Sequence, residues 1–518
     1  MIWFCSPLVP HILMDKGGFS MSRKIPIFYS ALMLTGVNLL LRFVGTSFQV
    51  YLSSSIGAAG IGLVQLVMSV GVLAMVAGMG GIRTGAMYLA AEELGHKKPQ
   101  NVTWILSGSF LYSVIFSFTV AGLLYVMAPQ IATFLIRDPR TVGALRLYAG
   151  FLPCVCLCGV MTGYFTAANR IGTLAAIEVA EQIFSMIITL CSLHFWAGTD
   201  PVRASQCVIL GSSLGSCFTL TSLVLLRVME KPPRGPRIPV GYRLRQTALP
   251  LALADDLRTG ISTAENLIVP RRLSMCTAVA SPLAAFGMIT GMVFPVLMFP
   301  ACIIYALAEL LIPELARCNA AGSSHRVTYL VRRSLKVTLL YSLIFSGGMF
   351  LLSEPLCTAL YNEAQIAKHL RQYSCLIPML YCDAITDAMI KGLGQQKMSV
   401  RYNILTNILD VAFLYLLLPR YGIGGYFFSF LVTHIINFGL SYRRLLKITK
   451  LQIPWHIPIF SLACGAFAIW VSSHTQRYSV QVILYLVILF SGLTALGILD
   501  RNDFRWMRSL VCKKPQMQ

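Results

Sequence analysis

Long apolar runs follow one another along almost the whole chain, and they limit the fold to one that lies inside a membrane. A run of about 18 or more apolar residues is typical of a transmembrane helix. At 1.5 Å per residue, such a helix crosses a hydrocarbon core about 30 Å thick. We therefore predict an all-α polytopic membrane protein. The hydropathy pattern predicts fourteen spans, near residues 25–51, 62–91, 103–127, 141–167, 171–197, 204–229, 246–270, 282–312, 329–352, 370–391, 401–418, 423–442, 455–473 and 479–499.

Composition argues against several other classes of protein. The 518 residues are 56% hydrophobic and only 12% charged, whereas soluble domains carry about 25% charged residues. The sequence contains no GxxxxGK(S/T) phosphate loop, no zinc-type histidine cluster and no Ser/His/Asp spacing typical of a hydrolase. We therefore expect neither an enzyme nor a bound metal or cofactor.

The net charge of +22 reflects membrane topology rather than nucleic-acid binding. No run of Lys and Arg alternates with aromatic residues, so we expect no nucleic-acid partner. Most basic residues fall in loops on one side of the predicted spans, which is the pattern of cytoplasmic loops. The pattern predicts a multi-pass plasma-membrane protein with both termini in the cytoplasm. Its basic segments include "RVTYLVRRSLK", "SYRRLLKITK" and the tail from Arg501.

The Pro/Arg-rich stretch "EKPPRGPRIPVGYRLR" divides the spans into two halves of six and a final pair. Leu41-Arg42 in the first span and Leu257-Arg258 in the seventh indicate a parallel internal repeat, which is common in transporters. The leader has two prolines and precedes a second start at Met21, so we expect it to be disordered or a mis-assigned start. The predicted organisation is a leader (1–24), an N-lobe (25–229), a linker (230–245), a C-lobe (246–445), two further spans (455–499) and a basic tail (500–518).

Three arginines lie deep in otherwise apolar spans. Arg42, Arg83 and Arg258 are about 22, 12 and 18 Å along the first, second and seventh spans, counted from the inner ends. An arginine at such depth costs about 3 kcal/mol or more. It can pair with an acid, extend to an interface, or bind an anion in a wet cavity. The planar guanidinium suits phosphate, since it donates two parallel hydrogen bonds. We predict that the three arginines bind an anionic substrate.

Acidic residues in the spans leave other roles open. Asp255 and Asp256 precede Arg258 closely and are candidates to pair with it or orient it. Intramembrane carboxylates are functional by default. A second set could therefore couple transport to H⁺ or Na⁺, bind a cationic drug, or be protonated and silent. This set comprises Glu178 and Glu181 on one face of span five, Asp383 and Asp387 on one face of span ten, and Asp410 in span eleven.

Pro295 and Pro300 lie inside the eighth span. Interior prolines remove backbone hydrogen bonds and bend a helix, and in membranes such bends occur beside cavities. They mark either a static kink or a hinge, and we predict a hinge.

Two stretches resemble the stage V sporulation protein B family. They are "IGAAGIGLVQLVMSVGVLAMVAGMGGIRTGAMYLAAEELG" and "NLIVPRRL" followed by "FGMITGMVFPVLMFPACIIYALAELLIPELAR". That family is part of the MOP exporter superfamily, with MATE antiporters, Wzx-type flippases and the lipid II flippase MurJ. The resemblance implies a two-lobed alternating-access fold and a role in spore cortex peptidoglycan synthesis. It also implies a cavity lined by the arginines of spans one, two and seven. Arg42 fits the LxRxxG pattern of MurJ-type proteins, but Phe48 and Gln49 replace its next charged pair.

The predicted function is therefore translocation of a lipid-linked, pyrophosphate-bearing oligosaccharide or peptidoglycan precursor. We expect membrane lipid and the lipid-linked sugar as partners, a monomeric carrier, and contact with cell-wall synthesis proteins. Coupling to H⁺, Na⁺ or the membrane potential is left open. A MATE-like cation-coupled multidrug antiporter is the alternative, and a scaffold without transport activity is a second rival.

Overall fold

A computed structural model describes residues 27–95, 98–168, 170–197, 200–230, 240–277, 279–363, 365–451 and 456–499. Every regular element in these ranges is helical, so the prediction of an all-α protein is confirmed. The predicted leader (1–24), most of the linker and the tail (500–518) lie outside the described residues.

Seventeen α-helices occur in the described part of the chain. The first seven are α1 (Ile27–Met79), α2 (Ile82–Gly95), α3 (Pro99–Gln130), α4 (Val142–Ala167), α5 (Ile171–Ser192), α6 (Pro201–Met229) and α7 (Val240–Leu273). They are followed by α8 (Pro282–Gly287), α9 (Phe294–Met298), α10 (Ala301–Ala320), α11 (Ser324–Leu351) and α12 (Ser353–Tyr361). The last five are α13 (Gln365–Ser374), α14 (Ile377–Gly392), α15 (Gln396–Thr449), α16 (His456–Ser472) and α17 (Tyr478–Ala495). Short π-helical turns extend α3, α5 and α8.

Eight helical stretches of the described chain are long and apolar enough to cross a membrane, or nine if α8–α9 and α10 count as one broken span. The predicted number of fourteen stays a prediction. Two stretches, Leu39–Leu94 and Gln396–Thr449, have 56 and 54 residues, which is more than one crossing requires. The helices inside them break at Gly57 (φ 71°) and Gly422 (φ 55°). Glycine tolerates these positive φ angles because it lacks a Cβ atom.

The chain forms two compact units. The predicted N-lobe, linker and C-lobe stay predictions. Unit 1 comprises residues 1–302 and 403–433, and unit 2 comprises residues 303–402 and 434–518.

In unit 1, α4 packs against α3 and α6, and α1 packs along α7 and α8. The contact between α1 and α8 is very close: a Cβ atom built on Gly287 would lie 1.9 Å from the carbonyl oxygen of Ala58. Nearby, the buried Ser53 hydroxyl donates a 2.7 Å hydrogen bond to the carbonyl oxygen of Gly291. Small residues therefore let the two helix backbones meet directly, as is common in membrane proteins.

In unit 2, α11 packs against α14 and also carries the antiparallel pair α16–α17. The Tyr485 hydroxyl on α17 donates to the carbonyl oxygen of Leu343 at 2.7 Å. Its ring fills the space beside Gly347, where a Cβ atom would lie 2.1 Å from the ring. The contacts of Tyr485 and Gly347 thus hold the last two helices against α11.

The span predicted over residues 282–312 is interrupted by a break. The helix ends at Met298 and a new one begins at Ala301, so the break falls at Phe299 and Pro300. Pro300 supplies no backbone N–H and cannot continue the helix. Pro295 lies in the short segment α9, just before this break. The break agrees with the predicted bend, and the hinge role stays a prediction.

Candidate functional site

Arg83 meets an acid from another helix inside unit 1. It is the second residue of α2, directly after the break at Gly80–Gly81. Its backbone packs on α4, where a Cβ atom on Gly163 would lie 2.5 Å from the Arg83 carbonyl oxygen. The half-buried Arg83 side chain lies close enough to Glu178 of α5 for their charges to interact. It makes no side-chain hydrogen bond to any described residue. Glu178 lies on a different helix, α5, so the residue spacing along α2 could not have predicted this interaction.

Glu181 lies one turn after Glu178 and is held by hydroxyl groups of α6. Thr219 Oγ1 donates to Glu181 Oε2 at 2.6 Å, and Ser216 Oγ lies 3.5 Å from Oε1. The structure therefore brings together the two predicted acids of span five and one of the three predicted arginines. The cluster has two carboxyl groups and one guanidinium, and it can hold a proton or a small cation.

The side chain of Arg258 is more exposed than that of Arg83. It is exposed on α7, and no carboxylate of the described residues forms an ion pair with it. Asp255, one turn earlier and also exposed, is close enough for an electrostatic interaction only. Most of the guanidinium donors of Arg258 are therefore available for a ligand.

Asp255 and Asp256 are adjacent but face different ways, because successive helical residues are rotated by about 100°. Asp256 is half-buried and interacts electrostatically with Tyr112 of α3. Its Oδ1 atom is buried and has no hydrogen-bond partner among the described residues. Of the two predicted orienting residues, only Asp255 therefore interacts with Arg258.

A salt bridge joins α2 and α7. Arg243 Nη1 lies 2.8 Å from Glu93 Oε1, and Arg243 Nη2 lies 3.0 Å from Glu92 Oε2. Along its helix, Arg83 is about 15 Å from this bridge, and Arg258 is about 22 Å from it. Arg42 is in α1, and its side chain lies outside what the structure describes.

A second carboxyl pair lies between α7 and α15, and of its two residues only Asp410 was among the predicted acids. The side chain of Glu265 lies close enough to Asp410 for the two carboxyl groups to interact. Ser429 Oγ donates to Asp410 Oδ1 at 2.5 Å, and Thr433 Oγ1 donates at 3.3 Å. The sequence carries one signal for this pair: Glu265 is the only acid in the apolar stretch "ISTAENLIVP".

The two predicted acids of unit 2 have partners of their own. Asn437 Nδ2 donates to both oxygens of Asp383, at 3.0 and 3.3 Å. Asp387 forms a 2.6 Å ion pair with Lys391 and a short hydrogen bond with Ser399. Asp387 is thus neutralised by a neighbour one turn away, and a role in ion coupling stays a prediction for both acids. No group of three or more metal-binding side chains occurs where the structure describes them.

Comparison with known proteins identifies relatives along most of the chain. Residues 34–202 match the MatE family model. The chain is 21% identical over 461 residues to stage V sporulation protein B of Bacillus subtilis (strain 168), covering 86% of this chain and 89% of that protein. It is 25% identical over 278 residues to the probable lipid II flippase MurJ of Rhizobium meliloti (strain 1021), covering 50% and 48%.

Two solved structures share the fold. The lipid II flippase MurJ in an inward closed conformation aligns with a TM-score of 0.65 at 13% identity, over 90% of this chain and 98% of that one. An inward-facing MATE family transporter of the MOP superfamily aligns with a TM-score of 0.62 at 14% identity, over 80% and 96%. None of these relatives is named as an enzyme, which agrees with the sequence prediction. Together, the similarities confirm the predicted resemblance to stage V sporulation protein B, MurJ and MATE proteins, and the solved structures share the all-α polytopic fold.

Proposed function

We propose that the chain moves a lipid-linked, pyrophosphate-bearing oligosaccharide or peptidoglycan precursor across the plasma membrane by alternating access, in spore cortex or cell-wall synthesis. A charged sugar-pyrophosphate head cannot cross hydrocarbon bare, because burying an isolated charge costs tens of kcal/mol by Born estimates. The carrier must therefore supply water and cationic partners in its place. The names of the relatives, a sporulation protein and a lipid II flippase, support this class of substrate.

The observation that carries the proposal is the exposed guanidinium of Arg258 in α7. An arginine without a paired acid in a membrane helix is costly unless it meets water or an anion. Its fork matches two oxygens of a phosphate group. Arg83 contributes less net charge, since Glu178 offsets it. We therefore assign substrate contact first to Arg258, with Arg83 and Arg42 as supporting positive residues.

For energy coupling, we propose the carboxyl pair Glu265–Asp410 as the site of a transported or transferred proton. Ionising both neighbouring carboxyl groups would place two like charges together, which favours holding a proton at the pair. The membrane potential can also drive return of the cationic empty carrier, at about 2.3 kcal/mol per charge per 100 mV.

A cation-coupled multidrug antiporter is the second candidate. The observation that favours it is the Glu178–Glu181 cluster, in which two carboxyl groups outnumber the single guanidinium of Arg83. In such an antiporter these acids, rather than Arg258, would contact the substrate or the coupling ion.

Vesicles that contain the purified full-length chain and lipid II separate the two candidates. We expect the chain to speed the appearance of lipid II at the outer leaflet, measured by an added enzyme that modifies only exposed head groups. Arg140→Gln, which removes an arginine already paired with Asp138, is the matched control and should keep the full rate. Proton-driven efflux of a cationic dye without lipid II movement would favour the antiporter.

A further inference from the structure

A small polar pocket lies in unit 2, where α10 ends and α11 begins. Its volume is about 260 Å³. A backbone hydrogen bond closes the turn between the helices: the Ser323 amide donates to the carbonyl oxygen of Cys318 at 3.0 Å. Gly322 in this turn adopts a φ angle of 68°. This is the usual glycine-dependent end of a helix, and it fixes the relative positions of the side chains around the pocket. The lining residues are Glu314, Arg317, Cys318, Ala321, Ser323 and Arg326.

Two guanidinium groups share one carboxylate at this pocket. Arg326 Nη2 lies 2.8 Å from Glu314 Oε1, and Arg317 Nη1 lies 3.7 Å from Glu314 Oε2. The side chains of Arg317 and Arg326 are 61% and 66% exposed, and Glu314 is only 32% exposed. Each arginine has five N–H donors, so most of them are not used by Glu314. The pocket therefore carries one net positive charge and several free donors.

The length and charge pattern of α11 favour a position of the pocket near the lipid head groups. α11 has 28 residues and is about 42 Å long, whereas the hydrocarbon core is about 30 Å thick. The helix has no charged residue after Lys336, so its excess length falls at the basic N-terminal end. Tyr329, three residues after Arg326, is 52% exposed, and tyrosine is enriched at the membrane–water interface. The basic end of α11 is also on the side that the charge pattern predicts to be cytoplasmic.

We propose that this pocket binds the phosphate of an anionic phospholipid head group in the leaflet on the predicted cytoplasmic side. Two arginine forks match a phosphate that has two free oxygens, and the excess positive charge selects an anionic over a zwitterionic lipid. Glu314 orients both arginines in the empty pocket and competes with the phosphate for their donors. The inference is independent of which substrate the chain transports.

Native mass spectrometry of the full-length protein in a neutral detergent tests this site, with phosphatidylglycerol titrated as the probe. We expect the wild type to hold one phosphatidylglycerol molecule that Arg317→Gln/Arg326→Gln binds roughly tenfold more weakly. The matched control is Arg140→Gln/Arg203→Gln, which also removes two arginines that each accompany an aspartate. Equal binding by the wild type, the double variant and the control would overturn the proposal.

Two further arms identify the ligand. Phosphatidylcholine should bind the wild type more weakly than phosphatidylglycerol, and equal binding would contradict selection of an anionic lipid. Excess inorganic phosphate should leave phosphatidylglycerol bound, and complete displacement would show that free phosphate is the ligand. If the double variant does not fold, as judged by its melting curve, Glu314→Gln keeps both arginines and removes the competing carboxylate. It should bind phosphatidylglycerol several-fold more tightly, and unchanged or weaker binding would count against the site.

Discussion

Arg83 and Arg258 are two of the predicted substrate-binding arginines, and they differ in how far their side chains are exposed. Arg83 is half-buried between α2, α4 and α5 and faces Glu178. Arg258 is exposed on α7 and has only the electrostatic influence of Asp255. A charge in a membrane helix is tolerated either through a partner on another helix or through access to water. The first arrangement serves stability, and the second leaves donors free for a ligand.

The largest effect is expected when Arg83 loses its charge. Arg83→Leu should lower the free energy of unfolding by about 2–3 kcal/mol, because the half-buried side chain loses the charge that interacts with Glu178. Denaturant titration in detergent micelles measures this. Arg258→Leu is the matched control, and it should change the free energy by only about 0.5 kcal/mol, as is usual for exposed positions. Equal losses in both variants would erase the distinction between the two arginines.

We expect the charge of Arg258 to contribute to the transport rate rather than to the free energy of unfolding. Arg258→Gln should slow lipid II translocation about 10- to 100-fold, the loss expected when a charge-assisted hydrogen bond to phosphate is removed. Arg258→Lys should be intermediate, since an ammonium group keeps the charge but lacks the fork. The vesicle assay measures both rates, and melting curves check that the variants are folded. A full rate in Arg258→Gln would remove the main support for an anion site on α7.

The pairing of Arg83 with Glu178 can be measured directly. Arg83→Gln/Glu178→Gln should be more stable than Arg83→Gln alone, with a coupling energy of about 0.5–3 kcal/mol in a double-mutant cycle. Arg83→Gln/Glu181→Gln provides the comparison, because the hydroxyl groups of α6 already satisfy Glu181. Additive losses in the first pair would mean that the two charges do not interact.

The smallest effects are expected at the hydroxyl groups that hold Glu181. Thr219→Val keeps the shape of the side chain and removes the 2.6 Å hydrogen bond, so it should cost about 1–3 kcal/mol of stability. Ser216→Ala removes a contact of 3.5 Å and should cost less. The same denaturant titration ranks the two. The reverse order would indicate that Ser216, rather than Thr219, is the principal donor to Glu181.

The apolar runs made the helical class and the rough limits of most helices predictable from the sequence. The turns were harder to predict. Where the sequence predicted two loops, the structure has breaks at Gly57 and Gly422 within long helices. The predicted arginines and acids are all found in helices, but their partners were not predictable. Glu178 follows Arg83 by 95 residues, and Asp410 follows Glu265 by 145. Such pairs depend on helix packing, for which the spacing along one helix gives no information.

The contact between α1 and α8 has a consequence for motion. Where Gly287 meets Ala58, the helices touch through backbone, and the side chains of Leu283 and Ile61 pack beside this point on Gly62 and Gly291. Among the described residues, the only polar bond across this contact is that of Ser53 to Gly291. The barrier to parting the two helices is therefore set by van der Waals cohesion and one hydroxyl group.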